Sequence, residues 1–407
     1  MTTRLLNLTG PTEPGYDAAR AAWNTGVDQR PALVADARSV DDVIEAVHLA
    51  RTRGLRIAPQ GTGHRATALP ALDDALLLRT AGLADVAIDP ATRIARVGAG
   101  ALWHDVIAAA APYGLAAPHG FAGGVGVTGY LLGGGLGWLA RSHGFGSTRV
   151  RAFDVVTVGG TPLRVDATHE PDLFWALRGG GPCGVVVTAV ELELIELADV
   201  YAGALIWPIE HAAAVTRAYF EWMRVVPDAL TSSLRLMHVP GHAFVQLTLA
   251  LQGSERTGEA YVAQMRAAAP VFHDTLATVP APALGKIAGD PEDPMPAVAT
   301  SLLLETPPPA EVFAALTGPA LTVLELRHLG GALCRQPGAI GGVPASALVF
   351  ASAAAPSPAL PGLQAALAPW ADPRGTLPTF ADAHVAPAPA VRKIAGRYDP
   401  ERILIGA

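Results

Sequence analysis

At 407 residues, half of them hydrophobic and only 16% charged, the chain is long enough for two or more units around large buried cores. Its 29 basic residues against 36 acidic ones leave no cationic surface for nucleic acid or an anionic membrane, so neither is expected as a partner. Cys183 and Cys334, the only cysteines, stand far apart without a CxxC spacing; a zinc cluster is excluded, a disulfide framework is disfavoured and no metal is expected.

Lys286 and Lys393 are the only lysines, which together with the excess of Ala, Gly and Pro reads as compositional bias. The opening "MTTRLLNLTGPTEPGYD" has no apolar run ahead of a small-residue cleavage site, so no signal peptide is expected. No uncharged apolar stretch reaches the roughly eighteen residues of a membrane span. A soluble, cytoplasmic protein is the expectation.

From residue 32 to about 196, short apolar runs alternate with helical ones. "ALVA" (32–35) predicts a strand. Ser39 caps a helix with Val40, Val43, Ile44 and Val47 on one face, closed by Gly54. "LRIAP" (55–59) completes a βαβ unit. "ALLLR" (75–79), "VAID" (86–89) and "RIARVGA" (93–99) predict strands, and "ALWHDVIAAAAPYG" (101–114) a helix closed by Gly114. "FDVVTV", the turn "GGT" and "PLRVDA" form a hairpin, followed by the helix "PDLFWALRG" and the strand "GVVVTAVELELI" (184–195).

Beyond residue 197, "SSLRLMHV" (232–239) and "HAFVQLTLALQ" (242–252) alternate like antiparallel strands with one buried face. Val245, Leu247, Leu249 and Leu251 point one way, Gln246 and Thr248 the other. "ALTVLELRHLGGAL" (320–333) behaves similarly, with Val323, Glu325 and Arg327 on one face. Pro-rich stretches at 279–296 and 306–309 are connections, and 355–371 holds a short helix. No internal repeat is present.

Two glycine-dense segments carry the chemistry. "RIAPQGTGHRATALP" (56–70) places His64 at the exit of a tight turn containing Gly61 and Gly63. "PHGFAGGVGVTGYLLGGGLGWLARSHG" (118–144) is too flexible to serve stability alone and implies backbone packed against a large ligand. Gly124, Gly126 and Gly129 within it match a GxGxxG fingerprint, but a poor strand precedes them and the nearest acidic partner is Asp154, so a Rossmann dehydrogenase is the lesser reading. Neither a GxSxG elbow, nor HExxH, nor a Walker A loop occurs.

A βαβ unit ending in the "GTGH" turn, the glycine-rich loop and "DLFWALRGGG" (172–181) together resemble the vanillyl-alcohol-oxidase superfamily of FAD enzymes, and most closely its berberine-bridge-enzyme-like oxidases. The resemblance covers residues 30–197 well and the rest weakly, through "ELRHLGGAL" (325–333) and "KIAGRYDPERIL" (393–404). It implies an α+β protein: a PCMH-type FAD-binding domain at 1–197 (core about 30–197), an antiparallel-sheet cap at 198–373 that receives the substrate, and a C-terminal return at 374–407. The flavin ring should lie between the two domains.

By the same resemblance the cofactor contacts are Gln60, Gly61, Thr62, Gly63, His64 and Arg65 in the first loop, Gly120, Val125, Gly126, Thr128, Gly129 and Gly133 in the second, and Val187 on the following strand. The first loop would wrap the FAD pyrophosphate, and His64 would bond covalently to the 8α-methyl carbon of the isoalloxazine. The competing reading of His64 is a polar turn residue. Many relatives have a second attachment through a cysteine where this chain has Ala122, so a single bond through His64 is expected. Cys183 replaces the family's usual aromatic and is read as a packing residue.

The family's catalytic tyrosine and its asparagine align with Leu377 and Thr379, so the base must come from elsewhere. Glu325 beside Arg327, or Arg235 with His238, are candidates on the polar faces of cap strands; Glu325 is preferred, with opposing effects of burial and arginine on its pKa. His119 is a second catalytic candidate, although a loop histidine bonded to backbone is the preferred reading of it. His143 flanks the same loop, His104 is read as structural, and Trp138 and Trp175 as core. The expected reaction is hydride removal from a C–H next to O or N of a small-molecule substrate, with O2 reoxidising the flavin. The alternative is a non-redox scaffold or cyclase-like enzyme on the same fold.

Overall fold

The computed structural model describes residues 6–381 and 385–406. The N-terminal half holds two sheets. In the first, Asn7–Thr9, Leu33–Asp36, Ala75–Arg79 and Arg56–Gln60 lie in that order, with the last three parallel. Helix Val40–Arg53 crosses between its strands. Ser39 and Asp42 form a reciprocal capping box at its start, a device of about 1 kcal/mol, and Gly54 ends it at φ 67. Its buried stripe is Val43, Ala46, Val47 and Ala50; Val40 is exposed and Ile44 half-buried, so the apolar face is rotated from the one expected. The small alanines let the helix lie close on the sheet.

The second sheet is antiparallel, in the order Val86–Asp89, Ile94–Gly98, Val185–Glu193, Val150–Thr157, Pro162–Asp166. Helices Trp103–Ala110 and Pro171–Leu177 bury Trp103, Val106, Leu173 and Phe174 against it. The first of these helices is shorter than expected. It tightens into a 3-10 turn at Ala111–Tyr113, where Pro112 supplies no N–H, before Gly114 closes it at φ 66. Asp154, the acid weighed for a dinucleotide fingerprint, instead pairs with Arg96 and Arg164 across this sheet.

The cap is built on one antiparallel sheet, in the order His273–Asp274, Asp199–Pro208, His242–Leu251, Leu230–Val239, Val323–His328, Ala347–Ala353, Val298–Leu304, with Ala277–Pro280 also pairing Asp199–Pro208. Helices Ala212–Trp222, Glu255–Arg266 and Ala359–Leu367 cover one face, where Trp207, Tyr219, Trp222, Leu247, Leu249 and Leu326 form the core. The expectation of one buried and one solvated face fails here. Ser233, Arg235, Gln246, Thr248, Glu325 and Arg327 are all buried on the other face. That face lies on the N-terminal domain, through a shared core of Phe121, Leu136 and Trp138 with Ala202, Ala250, Leu348 and Leu377.

The chain then returns. Helix Pro389–Tyr398 contributes Val391 and Ile394 to the core beside helix Pro171–Leu177. The Ile57 N–H donates to the Ile403 carbonyl at 2.8 Å, and the Ile405 N–H to the Ile57 carbonyl at 2.7 Å. Among the described residues no helix is long and apolar enough to cross a membrane, and no group of three or more acidic, histidine or cysteine side chains is placed to hold a metal ion.

Candidate cofactor site

Strand Arg56–Gln60 ends at the mouth of the first glycine turn. Gly63 sits at φ 83, and a Cβ there would stand 2.8 Å from both the Ala22 Cβ and the Gln60 Nε2, so glycine is required on two counts. Among the described residues, the backbone N–H groups of Gly61, Thr62, Gly63 and His64 find no partner in the protein. Gln60 is buried with both side-chain polar atoms unpartnered. The turn residues are half-buried, and their run of amides without protein partners, beside the buried and unpartnered Gln60 side chain, fits an anionic group held by backbone N–H groups.

His64 stacks on Trp23, with ring centres 4.2 Å apart and planes 12° from parallel. Its Nδ1 lies 2.7 Å from the Thr62 hydroxyl. Burial pushes its pKa down to about 4, so the ring is neutral at neutral pH. The Trp23 indole N–H donates to the Glu292 carbonyl at 3.2 Å, tying the turn to the cap. Arg65 donates to the Ala381 carbonyl at 3.3 Å.

The second glycine segment divides in two. Around 124–129 it is open: a Cβ at Gly124 or Gly129 would meet nothing within 4 Å, and one at Gly126 would meet only Thr62, at 3.7 Å. The two loops therefore face each other here, with the buried Thr128 hydroxyl also unpartnered. The Val125 carbonyl is engaged by the Trp103 N–H at 3.0 Å. Elsewhere the glycines make room for protein. Gly120, Gly135, Gly137 and Gly146 crowd the side chain of Tyr130, and Gly133 packs on Thr379, whose hydroxyl donates to its carbonyl at 2.6 Å. The inference that the whole segment faces a ligand is thus corrected: Gly120, Gly135 and Gly137 of it make room for Tyr130 or the His119 carbonyl. Val187 lies in the domain core.

His119 is buried, and its Nδ1 lies 2.7 Å from the Gly120 carbonyl; burial lowers its pKa to about 4 against the raising effect of that bond. Glu325 and Arg327 do share the buried cap face. Burial works to raise the Glu325 pKa, but Arg235 at 3.2 Å and Arg327 at 2.8 Å overcome it, and with the Ser233 hydroxyl donating as well the carboxyl is held at about 2. The arginines win the contest left open by the sequence and hold Glu325 as a paired carboxylate. Arg235 also reaches Asp290 at 2.6 Å. Arg327 lies over the rings of Phe121 at 4.1 Å and Phe380 at 4.3 Å, so it joins cap, glycine loop and C-terminal return.

His238 is not Arg235's companion. Strand alternation turns it to the opposite face, where it meets the Thr317 hydroxyl at 3.1 Å. His143 bonds Gln252 at 2.9 Å, and His104 is exposed beside Asp105. Trp138 is buried and Trp175 only partly so. Cys183 is buried, with its thiol pushed up to about 12. Leu377 sits in the interdomain core. Sequence reasoning missed Trp23 and Asp290, which lie outside any periodic element and carry no motif.

The FAD binding domain family matches residues 31–166. (R)-6-hydroxynicotine oxidase of Paenarthrobacter nicotinovorans is 35% identical over 198 residues, 48% of this chain and 43% of that protein. The chain spans less than half the length of the first curated relatives it matches. The structure of 6-hydroxy-D-nicotine oxidase from Arthrobacter nicotinovorans superposes with a TM-score of 0.84 at 25% identity, covering 99% of this chain and 98% of that one. Glucooligosaccharide oxidase from Acremonium strictum, described with a 6-S-cysteinyl, 8α-N1-histidyl FAD, shares the fold with a TM-score of 0.82 at 21% identity, covering 98% and 95%.

Proposed function

We propose that this chain, a member of the vanillyl-alcohol-oxidase superfamily by its PCMH-type FAD-binding fold, is an FAD-dependent oxidase of a small molecule carrying a C–H next to nitrogen or oxygen. The observation that carries this reading is the turn itself: four backbone donors without partners among the described residues, with a neutral imidazole at its exit and a second open glycine loop opposite. FAD, when bound, supplies the hydride acceptor and passes the electrons to O2.

The chain's own contributions follow from its atoms. The amides of Gly61 to His64 hold the pyrophosphate, and Gln60 and Thr128 offer it or the ribityl chain the side-chain groups they leave unpaired. His64 supplies the covalent attachment. The attachment is single, because Ala122 carries no nucleophile and Cys183 is a buried, protonated thiol in another loop. With Glu325 locked between arginines, the proton acceptor is His119. Its Nδ1–H is given to the Gly120 carbonyl, so Nε2 carries the lone pair.

The test begins with purified protein precipitated in acid, where yellow colour should stay with the pellet and map to the His64 peptide. Anaerobic mixing with amines first, then sugars and alcohols, should bleach the flavin, since a nicotine oxidase is the most identical of the relatives compared above. His119→Gln should slow that bleaching. Protein that carries FAD but is bleached by none of these classes would instead support a non-redox role on the same fold.

A further inference from the structure

The turn treats the two ring nitrogens of His64 differently. The Thr62 hydroxyl stands 2.7 Å from Nδ1, and its methyl faces the second glycine loop, where a Cβ on Gly126 would lie 3.7 Å away. Trp23 covers one face of the imidazole, donates its own amide to the Thr62 carbonyl at 2.8 Å, and is itself held through its indole N–H by Glu292. Turning the ring over about its Cβ–Cγ bond would put Cδ2 in the place of Nδ1 and lose the hydroxyl contact.

We propose that Thr62 and Trp23 are positioning residues for flavin attachment, with the Thr62 hydroxyl engaging Nδ1 so that Nε2 is the nitrogen bonded to the 8α carbon. This rests on the reading that the chain binds FAD through His64. The hydroxyl works in either tautomer. If Nδ1 carries the proton, the Thr62 oxygen accepts it and the free electron pair is on Nε2; if Nε2 carries it, the hydroxyl donates into the Nδ1 pair and occupies it. Only the first tautomer has a free nucleophile. As that nucleophile attacks, positive charge grows on the ring and the Nδ1–H bond to Thr62 strengthens, which favours the transition state.

The step balances as follows. The Nε2–C8α bond forms and one methyl C–H bond breaks. The methyl proton and the imidazole N–H proton are released, and the C–H electron pair enters the isoalloxazine, leaving it reduced by two electrons. O2 then takes two electrons and two protons and leaves as hydrogen peroxide. The stacked indole fixes the plane in which Nε2 is presented, as near-attack geometry requires.

The experiment uses full-length apoprotein from riboflavin-starved cells, incubated with FAD, with covalent flavin followed by fluorescence in denaturing gels. Thr62→Val should attach flavin roughly tenfold more slowly or worse while still binding FAD reversibly, Thr62→Ser should return to within about twofold of the parent, and Trp23→Ala should be slower than Trp23→Phe. In 15N-labelled parent protein, the C8α methylene protons should correlate with Nε2. Correlation with Nδ1, or attachment by Thr62→Val at the parental rate, overturns the proposal while leaving His64 as the attachment site. Parent protein with no flavin on the His64 peptide overturns the underlying reading as well. The linkage measurement needs no variant, so a misfolded Thr62→Val leaves the proposal open to refutation.

Discussion

The first glycine turn and the polar face of the cap sheet are both polar and both lie between the two domains, yet their groups are finished in opposite ways. Among the described residues, the turn leaves the amides of Gly61, Thr62, Gly63 and His64 open, together with both ends of Gln60. The cap sets its charges against one another, Arg235 and Arg327 against Glu325 and Asp290, although Nε of both arginines and Nη1 of Arg327 lack a hydrogen-bond partner among the described residues. Open donors on a rigid backbone are a binding surface that folding alone does not satisfy. Closed ion pairs are a joint, and a joint resists exchanging its partners for a substrate. On this contrast we propose that Glu325 serves the joint and not the proton transfer.

The largest effect should come from opening the joint. Glu325→Gln keeps the shape but leaves two buried guanidiniums with only Asp290 to balance them, and breaking such a pair costs about 3–5 kcal/mol. Denaturant melts should show this loss, while the rate of flavin reduction in the folded fraction stays near the parental value. A pronounced loss of reduction rate with normal stability would return Glu325 to the role of base. The pH dependence has a definite sign. The carboxyl is depressed from 4.5 to about 2 on folding, so its contribution is complete above about pH 5 and is lost as pH falls toward 2. Glu325→Gln should flatten the acid limb of stability.

How far this contrast could be read from the sequence differs between the two regions. The helix at 40–53 was legible from Ser39, Gly54 and an apolar spacing, and the apolar run at 75–79 and the β-branched one at 184–195 named their strands, because these signals are local. The family resemblance pointed to His64. What stayed hidden depends on partners distant in sequence. Alternation along 242–252 separates two faces but is silent on whether the polar one meets water or another domain. Glycine density cannot distinguish space kept for a ligand from space filled by Tyr130. Trp23 is brought onto His64 only by tertiary structure.

A middle-sized effect should follow from closing the turn against itself. Gly63→Ala forces a side chain into the left-handed region at φ 83, worth roughly 1–2 kcal/mol, and adds a Cβ 2.8 Å from Ala22. Apoprotein stability should fall by at least about that much, and covalent flavin should be lost because Gln60 and Ala22 must move. Normal flavin loading in a destabilised Gly63→Ala protein would show that the turn tolerates distortion and is not the pyrophosphate cradle.

The smallest effect on stability, and the sharpest on binding, belongs to Gly124→Ala. Gly124 is not among the glycines with positive φ, and a Cβ there meets no protein atom within 4 Å, so the apoprotein should melt within about 0.5 kcal/mol of the parent, as an unconstrained substitution does. Space that folding leaves empty is space a ligand can use. If the open stretch at 124–129 receives the cofactor, even one methyl group stands between backbone and ligand, and reversible FAD affinity, measured with His64→Ala as background, should drop roughly tenfold, about 1.4 kcal/mol. Gly63→Ala would lose both stability and binding, whereas Gly124→Ala would lose binding alone. Unchanged FAD affinity in Gly124→Ala would mean that the second loop stands clear of the cofactor and that the first turn, with Thr62 and His64, holds it without that loop's help.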